Sequence, residues 1–568
     1  MYQSDVFAAS APVQTFRRQG GRWALFFGLA LMVAVRVYCA SVYRVDSDEP
    51  QHLHVVWGIT HGMVQYRDLF DNHSPLFALL NAPIFRLLGE RADIVTVMRL
   101  GMIPFYFGIL ACVYLIGARL FSPRVGAWTA AVTAVFPRFF CTSLEFRPDN
   151  LWALCWLASL AALVCLRRPG WRFGLAGLLL GTAFSVSMKT TVMALDLFFA
   201  AGLAWGLAGA PRVPEFGKRA ASFASGLALV PACLLAWFAS QGALPSLGYC
   251  LIRHNLIAAS ERGALIDLRG AVSLAVFIAV IAWSRWLLAE RSPEAGRRAF
   301  MALVGGAYPV LLFVVWPLVT REDFLAFVPV AVLVIVPALL TWVGERRRLA
   351  VNVVLAASLV GFLALDVQAL APWEGRSRFH EAFVARALKL TDPGDEVMDT
   401  KGEMIYRNRP IYFALEEMTR WKYSRNLLDD DIPERMIAHG VCVATDNYGR
   451  YPRRTSQFIK HHFTRVAYRT LVAGRVLHPT EALTYFEIAI PARYAVIAKS
   501  GGPVEVDGKT CSEFVALAPG RHSLGTPAGS GPVAVVWAQA VERGFDPFYR
   551  PSPEERAEAL RSRLGNIL

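Results

Sequence analysis

Across 568 residues the chain is 55% hydrophobic and only 18% charged, with a mean hydropathy of +0.39. It is too apolar for a soluble enzyme and too long for one membrane hairpin. A formal charge of +14 does not point to nucleic acid, because the arginines gather in short loops between apolar stretches, a pattern that reports membrane orientation.

Apolar stretches of spanning or near-spanning length run at Trp23 to Val42, Val97 to Leu120, Val125 to Cys141, Leu151 to Leu166, Phe173 to Met188, Thr190 to Leu207, Ala221 to Ser240, Ala271 to Leu288, Met301 to Val319, Phe324 to Val343 and Leu349 to Leu370. With a shorter one at Pro75 to Leu88, residues 1–370 read as a membrane domain of about 11–13 helices. Trp23 to Val42 is long enough to span and lacks a cleavage site, so it reads as an anchor rather than a signal peptide. Basic sets at Arg17, Arg18 and Arg22, at Arg119 and Arg124, at Arg167, Arg168 and Arg172, at Arg212, Lys218 and Arg219, at Arg291, Arg297 and Arg298, and at Arg346 to Arg348 assign those loops to the cytoplasm. The opposite face then carries Asp46-Ser47-Asp48-Glu49, Glu145-Phe146-Arg147-Pro148-Asp149, the loop from Gln241 to Gly270, Arg321-Glu322-Asp323 and everything after Leu370. This assignment requires that Pro75 to Leu88 not change sides, or that it pair with a broken helix near Pro137.

After Ala371 the composition becomes that of a soluble region. Residues 371–480 read as a small α/β domain, with a helix over Arg378 to Leu390, buried strands at Glu396 to Thr400 and Gly440 to Thr445, and a further helix over Phe458 to Arg469. Residues 481–568 read as short strands with Asp-Gly and Pro-Gly turns, at Val504 to Gly508 and Leu517 to His522, closing in an amphipathic helix from Ser552 to Leu564. This part resembles PEGA-type β-sandwich modules. Of nine cysteines, Cys39, Cys112, Cys141, Cys155, Cys165 and Cys233 lie in or beside apolar segments. There a thiol is a small hydrophobe. Cys442 and Cys511 sit in polar sequence, and a bridge between them requires an extracytoplasmic location.

Carboxylates just outside membrane spans are functional candidates. Asp48 and Glu49 open a segment in which Asp48 and His52 are four apart, on one helical face. The bland reading is a helix cap followed by Pro50. Further on come Gly62, Tyr66-Arg67-Asp68 and Asp71-Asn72-His73-Ser74-Pro75-Leu76. With Arg147-Pro148-Asp149 these motifs resemble the GT-C superfamily of polyprenyl-phosphate-sugar glycosyltransferases, in particular its protein O-mannosyltransferase and aminoarabinose transferase branch. Such members show an Asp-Glu pair after the first span, a Gly and an Asp before a His/Lys-Pro-Pro-Leu helix start, and a later Arg-Pro-Asp. Ser74 replaces the usual first proline here.

The resemblance covers roughly residues 20–370 and implies a GT-C fold, a lipid-linked donor and inverting transfer. It implies Asp48 as the base or acceptor-positioning acid, with Glu49 beside it and Asp149 orienting acceptor or base. Lys189, Arg147 and Arg321 are the expected ligands of the donor's phosphate. Arg321 matches an Arg-aromatic-Pro pattern in which Asp323 takes the aromatic's place and Pro329 follows. Asp46, Asp68, Asp71, His73, Arg253 and His254 are candidate contacts to acceptor or donor. No cofactor is implied with certainty. His52, His54, His61 and His73 leave a divalent metal open, although their spacing fits no tight ligand motif. Arg36 and Asp196 lie inside expected spans and must face protein or water, paired or functional. No phosphate loop follows a strand and no nucleotide-sugar motif is visible, in keeping with a lipid-linked donor.

The expected partners are a polyprenyl-phosphate sugar donor, a cell-envelope acceptor (lipid, glycan or protein) and membrane lipids. The expected place is the inner membrane, with the active face outside the cytoplasm. A transporter or flippase would spread charges along a path and usually carry repeats. A membrane-anchored glycan-binding protein would not need the two acidic clusters.

Overall fold

The computed structural model describes residues 11–210, 215–256, 268–290, 293–316, 319–342, 348–511, 513–527 and 531–564. Among them, eight helices are long and apolar enough to cross a membrane: Ile94–Leu120, Pro148–Cys165, Thr190–Leu207, Phe216–Ser240, Gly270–Ala289, Glu294–Val314, Arg321–Leu340 and Leu349–Glu374. Two of the apolar stretches read from the sequence are broken or short for local reasons. The stretch from Val125 to Cys141 is two helices, Pro123–Ala134 and Pro137–Thr142. Pro137 lacks an N–H and occupies the first position of the second helix, where none is needed, and the break falls just before it. Leu76–Leu88 is 13 residues, about 20 Å at 1.5 Å per residue and short of a bilayer core of about 30 Å. It therefore does not cross as an upright helix.

Helices Pro169–Val186 and Phe216–Ser240 pack with their backbones in contact at Gly177, Gly181 and Gly226. A Cβ on any of the three would lie 2.1–2.2 Å from a facing carbonyl oxygen, the close approach that small residues allow between membrane helices. The centre of the bundle holds the fully buried rings of Trp152, Trp156, Phe139 and Tyr106. Arg36 is also fully buried, but it donates to the carbonyls of Phe140 and Ser143 and stacks on Tyr106 rather than pairing with Asp196. It thereby anchors the short helix after the break to the first helix.

Beyond Leu370 the helix Ser377–Leu390 leads, among the described residues, into eleven strands. They are β1 Val397–Met398, β2 Val443–Thr445, β3 Phe463–Ala467, β4 Thr470–Leu477, β5 Leu483–Ile488, β6 Ala492–Ala498, β7 Glu505–Val506, β8 Lys509–Thr510, β9 Phe514–Leu517, β10 Gly520–Gly525 and β11 Val533–Trp537. One sheet runs β1-β2-β4-β11-β6-β9, with β3 also on β4; the other runs β5-β10-β7-β8. β1 and β2 are parallel, whereas β11 lies antiparallel between β4 and β6. One sheet thus runs across residue 480, so the two parts expected on either side share a core. The helix expected over Phe458 to Arg469 is half strand: the helix Arg453–His462 ends where β3 begins. Phe463, Val466 and Ala467 are buried there against the sheet, and tertiary pairing overrides the helical spacing. Cys442 and Cys511 are free thiols, Cys442 being buried in the sheet's core.

Candidate active site

Four segments that are distant in sequence end at one place. Asp46 and Asp48 stand where the chain leaves its first helix and starts the helix Asp48–Thr60; Glu145 and Arg147 precede the helix Pro148–Cys165, whose first turn holds Asp149; Lys189 precedes Thr190–Leu207; and Arg321, Glu322 and Asp323 form a short turn before Phe324–Trp342. Carboxylates in the first turn of a helix are favoured by the dipole and by unpaired N–H groups. Asp323 shows this directly, since its carboxylate caps the turn by accepting from the Thr320 N–H at 2.7 Å.

Arg147 is the hub. Its Nη1 lies 3.0 Å from both Asp46 and Asp48 and 3.7 Å from Glu145, its Nε 3.3 Å from Asp149, and its Nη2 2.8 Å from Glu322. Lys189 bridges Asp149 at 3.0 Å and Asp323 at 2.6 Å. Arg321 pairs with Asp46 and reaches Glu145 at 3.2 Å. Arg44 adds a further cation beside Asp46, at 3.3 Å. The fifth is Lys401 of the strand-containing C-terminal region, 2.5 Å from Asp48. Burial works against the ionised form of Asp48, but the charges of Lys401 and Arg147 hold it well below the usual carboxylate range. Glu145 is the opposite case. Burial, and then the neighbouring Asp46, push it well above that range against the opposite pull of Arg147 and Arg44, and neither oxygen accepts a well-aligned hydrogen bond although Arg321 stands 3.2 Å away.

Residues 72–240 match the family model described as dolichyl-phosphate-mannose-protein mannosyltransferase. Among solved structures the chain resembles ArnT from Cupriavidus metallidurans in the apo state, at 12% identity and a TM-score of 0.53, over 80% of this chain and 98% of that one. The same protein bound to undecaprenyl phosphate gives 12% and 0.53 over 79% and 97%. The chain has the GT-C fold. A weaker likeness, with a TM-score of 0.43 at 10% identity over 87% of this chain and 74% of the other, links it to the oligosaccharyltransferase AglB from Archaeoglobus fulgidus in complex with an inhibitory peptide and a dolichol-phosphate. No curated protein matches by sequence.

Within this GT-C fold Asp46, Asp48, Asp149, Arg147, Lys189 and Arg321 form one cluster, as expected from their helix ends. Glu49 stands apart from them in its bonding. It is fully buried, with Arg99 clamped on both oxygens at 2.7 and 2.6 Å and the N–H groups of Phe146 and Asp46 completing its shell. Arg99 in turn donates to the carbonyls of Ala40, Tyr43 and Arg44. This pair ties the acidic loops together and leaves Glu49 no surface toward a substrate. Arg99 was not singled out from sequence, although it carried a signal as a charge inside an apolar stretch, which requires a partner.

Asp71 and His73 sit at the edge of the cluster. His73 Nδ1 is 2.8 Å from Asp71, whose other oxygen accepts from Gln65, and the His73 ring lies edge-on 4.6 Å from that of His52. Burial opposes protonation of His73, yet Asp71 and Asp48 raise it above the ordinary histidine value; burial, with His73 and Arg147 nearby, lowers His52 well below it. The other expected histidines lie elsewhere. His54 bonds the Ile405 carbonyl and His61 the Trp57 carbonyl. Among the described residues no group of three His, Cys, Asp or Glu is placed to hold a metal ion. Asp68 closes a local turn by accepting from the Val64 N–H and from Arg67. His254 is buried between Glu416 and Lys422, while Arg253 is exposed. Most of the loop that follows lies outside the described residues.

Lys401, Arg44 and Glu322 were not singled out from sequence. Glu322 carried a signal, standing next to Arg321 before an apolar helix. Lys401 carried none, because only the docking of the two regions brings it to Asp48.

Proposed function

We propose that the protein is an integral membrane glycosyltransferase that moves one sugar, with inversion, from a polyprenyl-phosphate carrier to a hydroxyl of a cell-envelope lipid, glycan or protein. We place this reaction on the outer face of the inner membrane. The observation that carries the reading is a reachable carboxylate, Asp48, paired with two cations at converging helix ends of a GT-C fold. Asp48 is 27% exposed at its side chain, whereas Glu49 is fully buried. ArnT, which shares this fold, has been crystallised with undecaprenyl phosphate. A transporter would need its charges spread along a path, and here they gather at one end.

The acceptor oxygen bonds to the anomeric carbon, the bond from that carbon to the phosphate oxygen breaks with its electron pair, and the acceptor's proton passes to Asp48. The phosphate leaves with one more negative charge than it had in the donor. Arg321 and Lys189 lie on the cluster's partly exposed side, at 29% and 17% of their side chains, and stabilise that charge as it grows. Arg147 is 4% exposed and surrounded by five carboxylates, so its part is to hold the acids in place. Asp149, which touches both Arg147 and Lys189, orients them.

The test is transfer from a radiolabelled polyprenyl-phosphate sugar to an envelope fraction by purified protein. Asp48→Asn is expected to lower the rate by a factor of about a hundred to ten thousand. A near wild-type rate in a normally folded variant removes Asp48 as the base. A phosphatase fused after Leu568 reports the side, and an inactive fusion with an active cytoplasmic reporter there overturns the outer-face placement.

A further inference from the structure

Lys401 reaches the acidic cluster from the strand-containing C-terminal region. It follows β1 in a turn whose ends are fixed: the Asp399 carboxylate accepts from the N–H groups of Gly402 at 2.6 Å and Met404 at 2.9 Å. Gly402, at a φ of +85°, lies flat against His54, and the Ile405 carbonyl bonds His54 Nδ1 at 2.9 Å. His54 belongs to the same helix that begins with Asp48. The turn is thus pinned to the helix that carries the proposed base, and the Lys401 side chain, 8% exposed, has little room except toward the cluster.

Among the described residues the cations there differ in how firmly they are held. Arg147 has five carboxylates within 4 Å; Lys189 has Asp149, Asp323 and Glu322; Arg321 has Asp46 and Glu145. Lys401 has Asp48 alone. An ammonium has three donors on a flexible stem and is satisfied by any anion near it, without a fixed fork. It is the cation that an incoming anion redirects at least cost.

We propose that Lys401 is a positioning residue of the transfer site, which masks Asp48 in the empty protein and passes to the donor's phosphate when the donor binds, leaving Asp48 free to take the acceptor's proton. This rests on the lipid-phosphate donor proposed above. Asp48 then keeps Arg147 as its cation, with His52 near it on its own helix, while Glu403 also feels the charge of Lys401. Because the phosphate gains charge as the sugar leaves, Lys401 stabilises the transition state more than the bound donor.

The experiment uses full-length protein with Lys401→Gln and Lys401→Arg, and reads kcat and KM for the donor across pH, together with binding of undecaprenyl phosphate. Lys401→Gln is expected to lower kcat about 10- to 100-fold, to weaken undecaprenyl phosphate binding about tenfold, and to move the acidic limb of kcat/KM upward by about one pH unit, since that limb reports the base of the free enzyme. Lys401→Arg, which keeps the charge, is expected to recover most of each. A Lys401→Gln protein that is less heat-stable but has an unmoved acidic limb and unchanged undecaprenyl phosphate affinity makes Lys401 a docking contact only and overturns the proposal. The same holds if Lys401→Gln does not fold and Lys401→Arg shows no change in limb or affinity relative to Lys401→Met. A wild-type protein that binds no undecaprenyl phosphate overturns the donor reading itself, which separates the two failures.

Discussion

Arg147→Met removes the one side chain that touches Asp46, Asp48, Glu145, Asp149 and Glu322 at once. Methionine fills most of the volume, so the loss is electrostatic rather than a cavity. Breaking a buried ion pair from one side costs about 3–5 kcal/mol, because the partner charge stays behind without compensation. Here several partners stay behind, but Lys189, Arg321, Arg44 and Lys401 still neutralise some of them, which keeps the expected loss near about 3–5 kcal/mol. Lysine at 147 restores one point charge without the planar fork and is expected to recover only part of this.

The cost of Arg147→Met depends on pH. In the wild type Asp48 is held low by Lys401 and Arg147 against the pull of burial. A carboxylate depressed in this way contributes stability above its unfolded pKa of about 3.9, and that contribution is lost as pH falls through the lower folded value. In Arg147→Met the abandoned carboxylates move upward, so the variant is penalised at neutral pH and recovers as they protonate. The gap between the two proteins should be widest at about pH 7–8 and should close toward about pH 5. Thermal unfolding in detergent across that range checks it. Equal melting at pH 7.5, or a gap that widens on acidification, refutes the hub.

Glu145→Gln should be mild, within about 1 kcal/mol, because burial and Asp46 already favour the neutral acid at that position; a rate loss comparable to that of Asp48→Asn would show that Glu145 acts as a charge. Gly402→Ala adds a Cβ 2.4 Å from the His54 side chain at a positive φ. Strain of about 1–2 kcal/mol and overpacking of about 1–3 kcal/mol should loosen the docked turn. Faster proteolysis around residues 399–409 together with a drop in transfer is the expected result, and an unchanged digestion pattern contradicts the docking.

Hydropathy and the spacing of charges were enough to recover a multi-helix membrane fold, a change of composition before the strand-containing C-terminal region, and the helix ends at which acids and cations collect. These are local signals: an apolar run of spanning length must cross or be buried, and a carboxylate beside Pro148 or Pro50 marks a helix start whatever packs against it. The Pro137 break was also open to reading, because proline lacks the N–H of a helical hydrogen bond and favours a helix start. Which acid stays exposed was not. Asp48 and Glu49 are adjacent in sequence, and only the arrival of Arg99 from 50 residues away buries one and leaves the other reachable. The same holds for Lys401, 353 residues from the Asp48 it touches, and for β11, which crosses to join β4 and β6 into one sheet. Such contacts depend on how rigid elements dock, and no periodicity within a segment encodes that.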